Sequence, residues 1–175
     1  MRLILASRQS RAWNFKLKKN RGSGKITGFY RLLSLGNNTT MQQAKKLIEQ
    51  YYQAFNNGDM DTFLSLLTDD VVHDINQGGR EQGKAAFAEF MKKMNHHYKE
   101  QLVDMVVMAS ADGTRGAAEF VVLGEYLNTD EGLPEANGQT YRLPAGAFFD
   151  IRDGKVARIT NYYNLGDWIA QVDPQ

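Results

Sequence analysis

Two Asp-Gly dipeptides, Asp112-Gly113 and Asp153-Gly154, each stand between runs rich in Val, Ala, Phe, Ile and Tyr. Asp-Gly between such runs is a strong hairpin signal, because both residues tolerate the left-handed backbone that a tight turn requires. The pattern predicts antiparallel strands over residues 102–109, 117–127, 141–151 and 156–164. The strand over 117–127 is apolar on both faces apart from Glu119 and Glu125. Such a strand needs cover on both sides, by helices or a cavity on one and by a partner subunit on the other.

Upstream, the apolar period changes from two to 3.6. Ala44, Leu47, Ile48, Tyr51 and Phe55 recur at helical spacing, and Thr40-x-x-Gln43 matches a capping box that would start this helix. Asn56-Asn57-Gly58 stops it. Asp59 can cap a second helix whose buried stripe is Phe63, Leu66 and Leu67. A third helix over 84–98 carries Phe87, Phe90, Met91, Met94 and Tyr98 on its inner face. Residues 165–172, with Trp168 and Ile169, form a closing amphipathic segment. Helices first and long strands last predict an α+β fold, with a cone-shaped pocket between one concave sheet face and three N-terminal helices.

The short strand over 71–76 places His73 and Asp74 side by side at its polar end, before Gly78-Gly79. Neighbours on a strand face opposite sides, so these two are rivals for one cavity. Asn76 shares the face of Asp74. Asn161 and Tyr163 share a face on the last strand and can orient a ligand. Tyr51 is either a core aromatic or a hydroxyl donor aimed into the pocket. Glu119 reads as a buried carboxylate with a raised pKa or as an ion-paired group where its strand is exposed. His96 and His97 project about 100° apart on a helix and make a poor metal pair. With 3 histidines and no cysteine, neither a metal site nor a cofactor is expected.

Charge divides the chain. Residues 1–40 hold nine Lys/Arg and no Asp/Glu, whereas 41–175 hold the other twelve basic residues and all 20 acidic ones. Residues 1–40 are read as a disordered leader, or as upstream sequence before a start at Met41; an organelle transit peptide and a phosphate-binding arm fit the same composition. Residues 41–175 form the domain. No apolar run approaches the roughly 20 residues that span a bilayer. Membrane is therefore not an expected partner; nucleic acid is not expected either, because residues 41–175 are acidic, and the location is read as cytoplasmic.

Residues 41–175 resemble the nuclear transport factor 2-like superfamily, in its SnoaL-like and ketosteroid-isomerase-related branch. The likeness rests on Tyr51-x-x-Ala54-Phe55-x-x-Gly58-Asp59, Leu67-Thr68-Asp69-Asp70-Val71, Gly83-Lys84-x-Ala86-Phe87 and Asp153-Gly154-Lys155-Val156-Ala157-Arg158-Ile159. It implies a cone-shaped curved antiparallel sheet covered by three helices. It also implies a tyrosine of the first helix, a base at the end of the first strand and a protonated acid from the sheet. The tyrosine falls on Tyr51, the base on Ile75 one position past Asp74, and the acid on Gly146. Steroid isomerisation with that full set is not expected.

The reading favours acid–base chemistry of isomerase, lyase or hydrolase type on a small, largely apolar molecule. Asp74, His73 and Tyr51 are the candidate catalytic residues, and Asn76, Glu119, Asn161 and Tyr163 the candidate ligand contacts. The alternative is a non-catalytic ligand-binding or dimerisation module. Either is expected as a homodimer paired through the open sheet face.

Overall fold

Both Asp-Gly dipeptides fall at strand reversals in the computed structural model, which describes residues 26–173 and the side chains of 39–173. At the second, Asp153 (φ 53°) and Gly154 (φ 71°) are both left-handed, as a two-residue hairpin requires. The first is wider. Only Gly113 is left-handed, and the Asp112 carboxylate accepts hydrogen bonds from Ser110 Oγ, Thr114 N and Thr114 Oγ1.

In chain order the elements are α1 (Ile26–Asn56), α2 (Met60–Ser65), β1 (Leu67–Asp74), β2 (Arg80–Gln82) and α3 (Lys84–His97). Then follow β3 (Tyr98–Ala109), β4 (Arg115–Tyr126), β5 (Thr140–Arg152), β6 (Lys155–Tyr163) and α4 (Leu165–Val172). The strands form one curved open sheet in the order β2-β1-β6-β5-β4-β3. A register shift on β3 between Val103 and Val106, with Asp104 at φ 54°, is the kind of irregularity that bends a strand. The readings of residues 1–25 lie outside the described residues.

Three expectations change. The sheet is not wholly antiparallel, because β1 runs parallel to β6, with His73 opposite Ile159. These strands are far apart in sequence, so no hairpin dictates their sense. Second, β2 returns antiparallel to β1 after Gly78-Gly79, with His73 opposite Glu81 and Asp74 opposite Arg80. Third, Thr40 does not cap a helix. It lies within α1, and its hydroxyl donates to the Ala111 carbonyl at 3.1 Å, in the β3–β4 turn. A capping box is a local signal, and nothing local stops the helix here.

The core lies between the concave sheet face and the helices. Ile48, Tyr51, Tyr52 and Ala54 of α1, Phe63 of α2, Phe87 and Met91 of α3 meet Ala118, Phe120 and Val122 of β4 and Phe149 of β5. Gly116 admits α1 closely, since a Cβ there would stand 2.2 Å from Ile48 Cδ1. α4 closes the wide end of the sheet with Trp168, whose ring stands edge-on to Tyr98, Tyr126 and Tyr141. Asn164 caps it, its Oδ1 accepting from Gly166 N and Asp167 N. No described helix is long and apolar enough to cross a membrane.

Candidate functional site

Helices and sheet border a cavity of about 1650 Å³, lined by residues from each described strand and helix. Its floor is aromatic. Tyr51 packs its ring 4.3 Å from Phe63 and edge-on to Tyr52 and Phe149. Burial pushes both the Tyr51 and the Tyr52 phenols well up, so both remain protonated donors at neutral pH. The buried Tyr52 hydroxyl has no partner among the described residues.

The packing of α3 against β1 settles the rivalry at its end. His73 is 3% exposed and lines the cavity, its ring 4.8 Å from Phe87 and 4.4 Å from Phe90. Burial lowers its pKa to about 4, against which the nearby Asp74 charge acts only in part. Its Nδ1 lies 3.9 Å from Glu81 Oε2, beyond hydrogen-bond reach, and a neutral imidazole makes no ion pair. Neither atom has another partner among the described residues.

Asp74 points the other way. It accepts from Arg80 Nε at 2.6 Å and Arg158 Nε at 2.5 Å, and the Arg80 bond first among several effects holds its carboxyl below the usual range. Arg158 also approaches Asp150 at 3.7 Å, so Asp74 belongs to an ion-pair chain on the convex side. That placement leaves it without access to the cavity. Glu119 likewise lies outside the cavity, exposed on β4 opposite Val106 and Gly146, because its strand neighbours Ala118 and Phe120 take the inward positions. Asn76, Asn161 and Tyr163 line the cavity, while Tyr162 faces out against Phe148.

A second polar centre, unmarked in the sequence reading, lies on the opposite edge of the sheet. Glu100 of β3, Gly124 of β4 and Tyr141 of β5 are register partners in one row. A Cβ at Gly124 would stand 2.0 Å from Tyr141 Cζ, so the absent side chain is what lets the tyrosine lie across β4. Its hydroxyl reaches Glu100 Oε1 at 2.6 Å. Burial raises the Glu100 carboxyl, opposed by that hydrogen bond. Burial, then the charges of Glu100 and Asp130, also raise Tyr163. Tyr98 donates to Asp130 Oδ2 at 3.4 Å, and Asp130 pairs with Lys93 at 2.9 Å.

The 128–138 connection forms a rim and contributes Asp130, Glu131 and Leu133 to the lining. Among the described residues, no group of three or more His, Asp or Glu side chains could hold a metal ion.

His73 gives a direct pH test. Its folded pKa of about 4 lies below the ordinary 6.5, so between those values the unfolded chain binds more protons than the native one. Stability therefore rises with pH across that window and is lost on acidification. The urea midpoint of the wild type is expected to fall between pH 7 and pH 4.5, and to fall much less in His73→Gln. Equal falls in both would show that the imidazole is not held neutral by burial.

A lone mixed-sheet cone with an apolar, polar-ended cavity defines a class of small-molecule pocket proteins. The SnoaL-like domain matches residues 48–159, and the chain belongs to that family. Its structure resembles a candidate polyketide cyclase from Pseudomonas putida KT2440 at 66% identity and TM-score 0.73, covering 74% of this chain and 97% of that one. A candidate polyketide cyclase from Xanthomonas campestris pv. campestris is 60% identical, with TM-score 0.74 over 77% of this chain and 99% of that one. An NTF2-like protein of unknown function from Burkholderia pseudomallei K96243 is 16% identical over 75% of this chain and 98% of that one; its TM-score of 0.64 speaks for the fold alone. No match was found among curated proteins.

Proposed function

We propose that this protein is an enzyme performing acid–base chemistry of isomerase, lyase, hydrolase or cyclase type on a small, largely apolar molecule. One observation carries the reading: a neutral imidazole, His73, is buried between Phe87 and Phe90 yet opens onto an aromatic-floored cavity. A titratable group left with unpartnered polar atoms in an apolar pocket is costly unless a ligand uses it. The likeness to the two candidate polyketide cyclases from Pseudomonas and Xanthomonas supports cyclisation as one form of the chemistry.

In this reading the His73 imidazole and the protonated Tyr51 phenol hydrogen-bond one polar end of the molecule, and Asn76, Asn161 and Tyr163 hold the rest of it. Asp74 contributes to stability from the convex face. The protein pairs as a homodimer through that face, where Val106 (55%), Phe148 (54%) and Tyr162 (49%) are exposed.

A turnover screen over small cyclic ketones, enones and epoxides tests it. His73→Gln is expected to lower kcat/KM for any accepted substrate by about 10²-fold or more, within the range for an acid–base or hydrogen-bonding group. Asp74→Asn is expected to leave kcat/KM within a few-fold and to lower the melting temperature. Ligands that raise the melting temperature with no turnover of any probe would favour the non-catalytic binding module instead.

A further inference from the structure

We propose that Glu100, held by Tyr141 across Gly124, is the proton-transfer group of the cavity, in place of the base that the family likeness sets at Ile75, and that it serves the proton transfer next to a carbonyl which that likeness already implies. The inference rests on the acid–base reading of the same cavity and deepens it.

The row is built for this purpose in its geometry. Glu100, Gly124 and Tyr141 are consecutive register partners on three strands, and only a glycine in the middle leaves room for the tyrosine ring. Tyr141 donates to Oε1 at 2.6 Å, which fixes the carboxyl; Oε2 accepts no hydrogen bond from a described residue. All three residues line the cavity, together with Tyr98, Tyr163 and Trp168. The Tyr163 hydroxyl makes no hydrogen bond to a described residue and lies near enough to feel the Glu100 charge. A carboxyl desolvated in this way is a stronger base once ionised than one in water. His73, with a pKa of about 4, is the weaker base of the two centres at neutral pH.

The step balances without a co-reactant. The Glu100 carboxylate takes a proton from the carbon beside the carbonyl. The C–H electron pair becomes the C=C bond of an enolate, and the carbonyl π pair moves onto oxygen, where the Tyr163 hydroxyl donates a hydrogen bond. Glu100, now a carboxylic acid, returns the proton to the same carbon or to the far end of a conjugated system. Nothing is oxidised or reduced.

The probes are 2-tetralone, an apolar ketone with acidic C–H bonds, and 2-naphthol, a planar mimic of its enol. Exchange of the ketone's α-protons in D2O is followed by NMR, and 2-naphthol binding by fluorescence. The wild type is expected to exchange 2-tetralone well above the buffer rate. Glu100→Gln should slow exchange by about 10²–10⁴-fold while binding 2-naphthol within a few-fold of wild type. Tyr141→Phe removes a bond that lowers the Glu100 pKa, so the acid limb of its exchange profile should move to higher pH. A merely structural tyrosine would leave that limb in place.

Exchange at the wild-type rate in Glu100→Gln overturns the assignment, as does a wild type that binds 2-naphthol without exchanging the ketone. Both results leave the broader acid–base reading standing with another group or substrate. A wild type that neither binds nor exchanges removes the small-apolar-molecule reading together with this one. If Glu100→Gln does not fold, the Tyr141→Phe profile decides, and an unshifted limb overturns the proposal.

Discussion

Gly124→Ala is expected to lower stability by about 1–3 kcal/mol, the usual cost of forcing one extra carbon into a packed interior. The added methyl would stand 2.0 Å from Tyr141 Cζ and 2.4 Å from its hydroxyl oxygen. The backbone of Gly124 is not left-handed, so no conformational penalty enters. Replacing glycine at such a position should gain about 0.4–1 kcal/mol by restricting the unfolded chain. The clash outweighs that gain, because the Tyr141 ring is 5% exposed and Trp168 stands 5.9 Å away edge-on. The ring must swing aside, and its 2.6 Å bond to Glu100 breaks. Two readouts follow: an earlier urea midpoint, and an upward move of the Glu100 carboxyl in a ¹³C titration. A variant as stable as wild type with an unmoved carboxyl would show that glycine at 124 is incidental.

Phe63→Ala should cost more, about 3–5 kcal/mol, the range for emptying a buried phenylalanine site. Phe63 is 1% exposed and contacts the rings of Tyr51, Phe55 and Phe87. It is also the only buried residue of α2, which has six residues and cannot be stable alone. The Asp59 cap on Thr62 N would survive the substitution but cannot hold the helix by itself. Losing Phe63 also removes support from Tyr51 and from Phe87, the wall of His73. Urea unfolding measures the loss; a change below about 1 kcal/mol would mean that the neighbouring rings collapse into the gap.

The fold was legible where pattern and punctuation agree. The Asp-Gly dipeptides fall at strand reversals, and the Leu47-Ile48-Tyr51 stripe and the period-two strands bury the residues that their spacing selects. Their joint motifs also led to the family, although one scaffold hosts many chemistries. Less legible were features settled by distant partners. Strand β1 begins at Leu67, four residues before its apolar run, because Val156 N bonds the Leu66 carbonyl and β6 lies alongside. Strand β2 is three residues of Arg, Glu and Gln, with no apolar period to announce it.

At the site, alternation correctly separated His73 from Asp74 but could not say which faced inward. The side depends on where α3 lies. Glu100 escaped notice because α3 passes into β3 with no loop between His97 and Tyr98, so Lys99-Glu100-Gln101 reads as a polar connector. Counting back by two from the buried Leu102 would have placed Glu100 and Tyr98 on the inner face. Gly124, inside an otherwise apolar strand, was the other available sign of a close approach.

The rim over residues 127–139 bears on ligand residence time. It is stitched to the end of α3: Leu127 N donates to the His97 carbonyl at 2.8 Å, and Asn128 Nδ2 to the His96 carbonyl at 2.6 Å. Lys93 grips Asp130, and Asp130 N donates to the Tyr126 hydroxyl at 2.8 Å. Lifting this segment away breaks all four at once, at about 1 kcal/mol for each hydrogen bond, so the displaced form is scarce. A molecule held in the cavity as proposed would then leave at a rate set by its grip on the interior rather than by the opening of the rim.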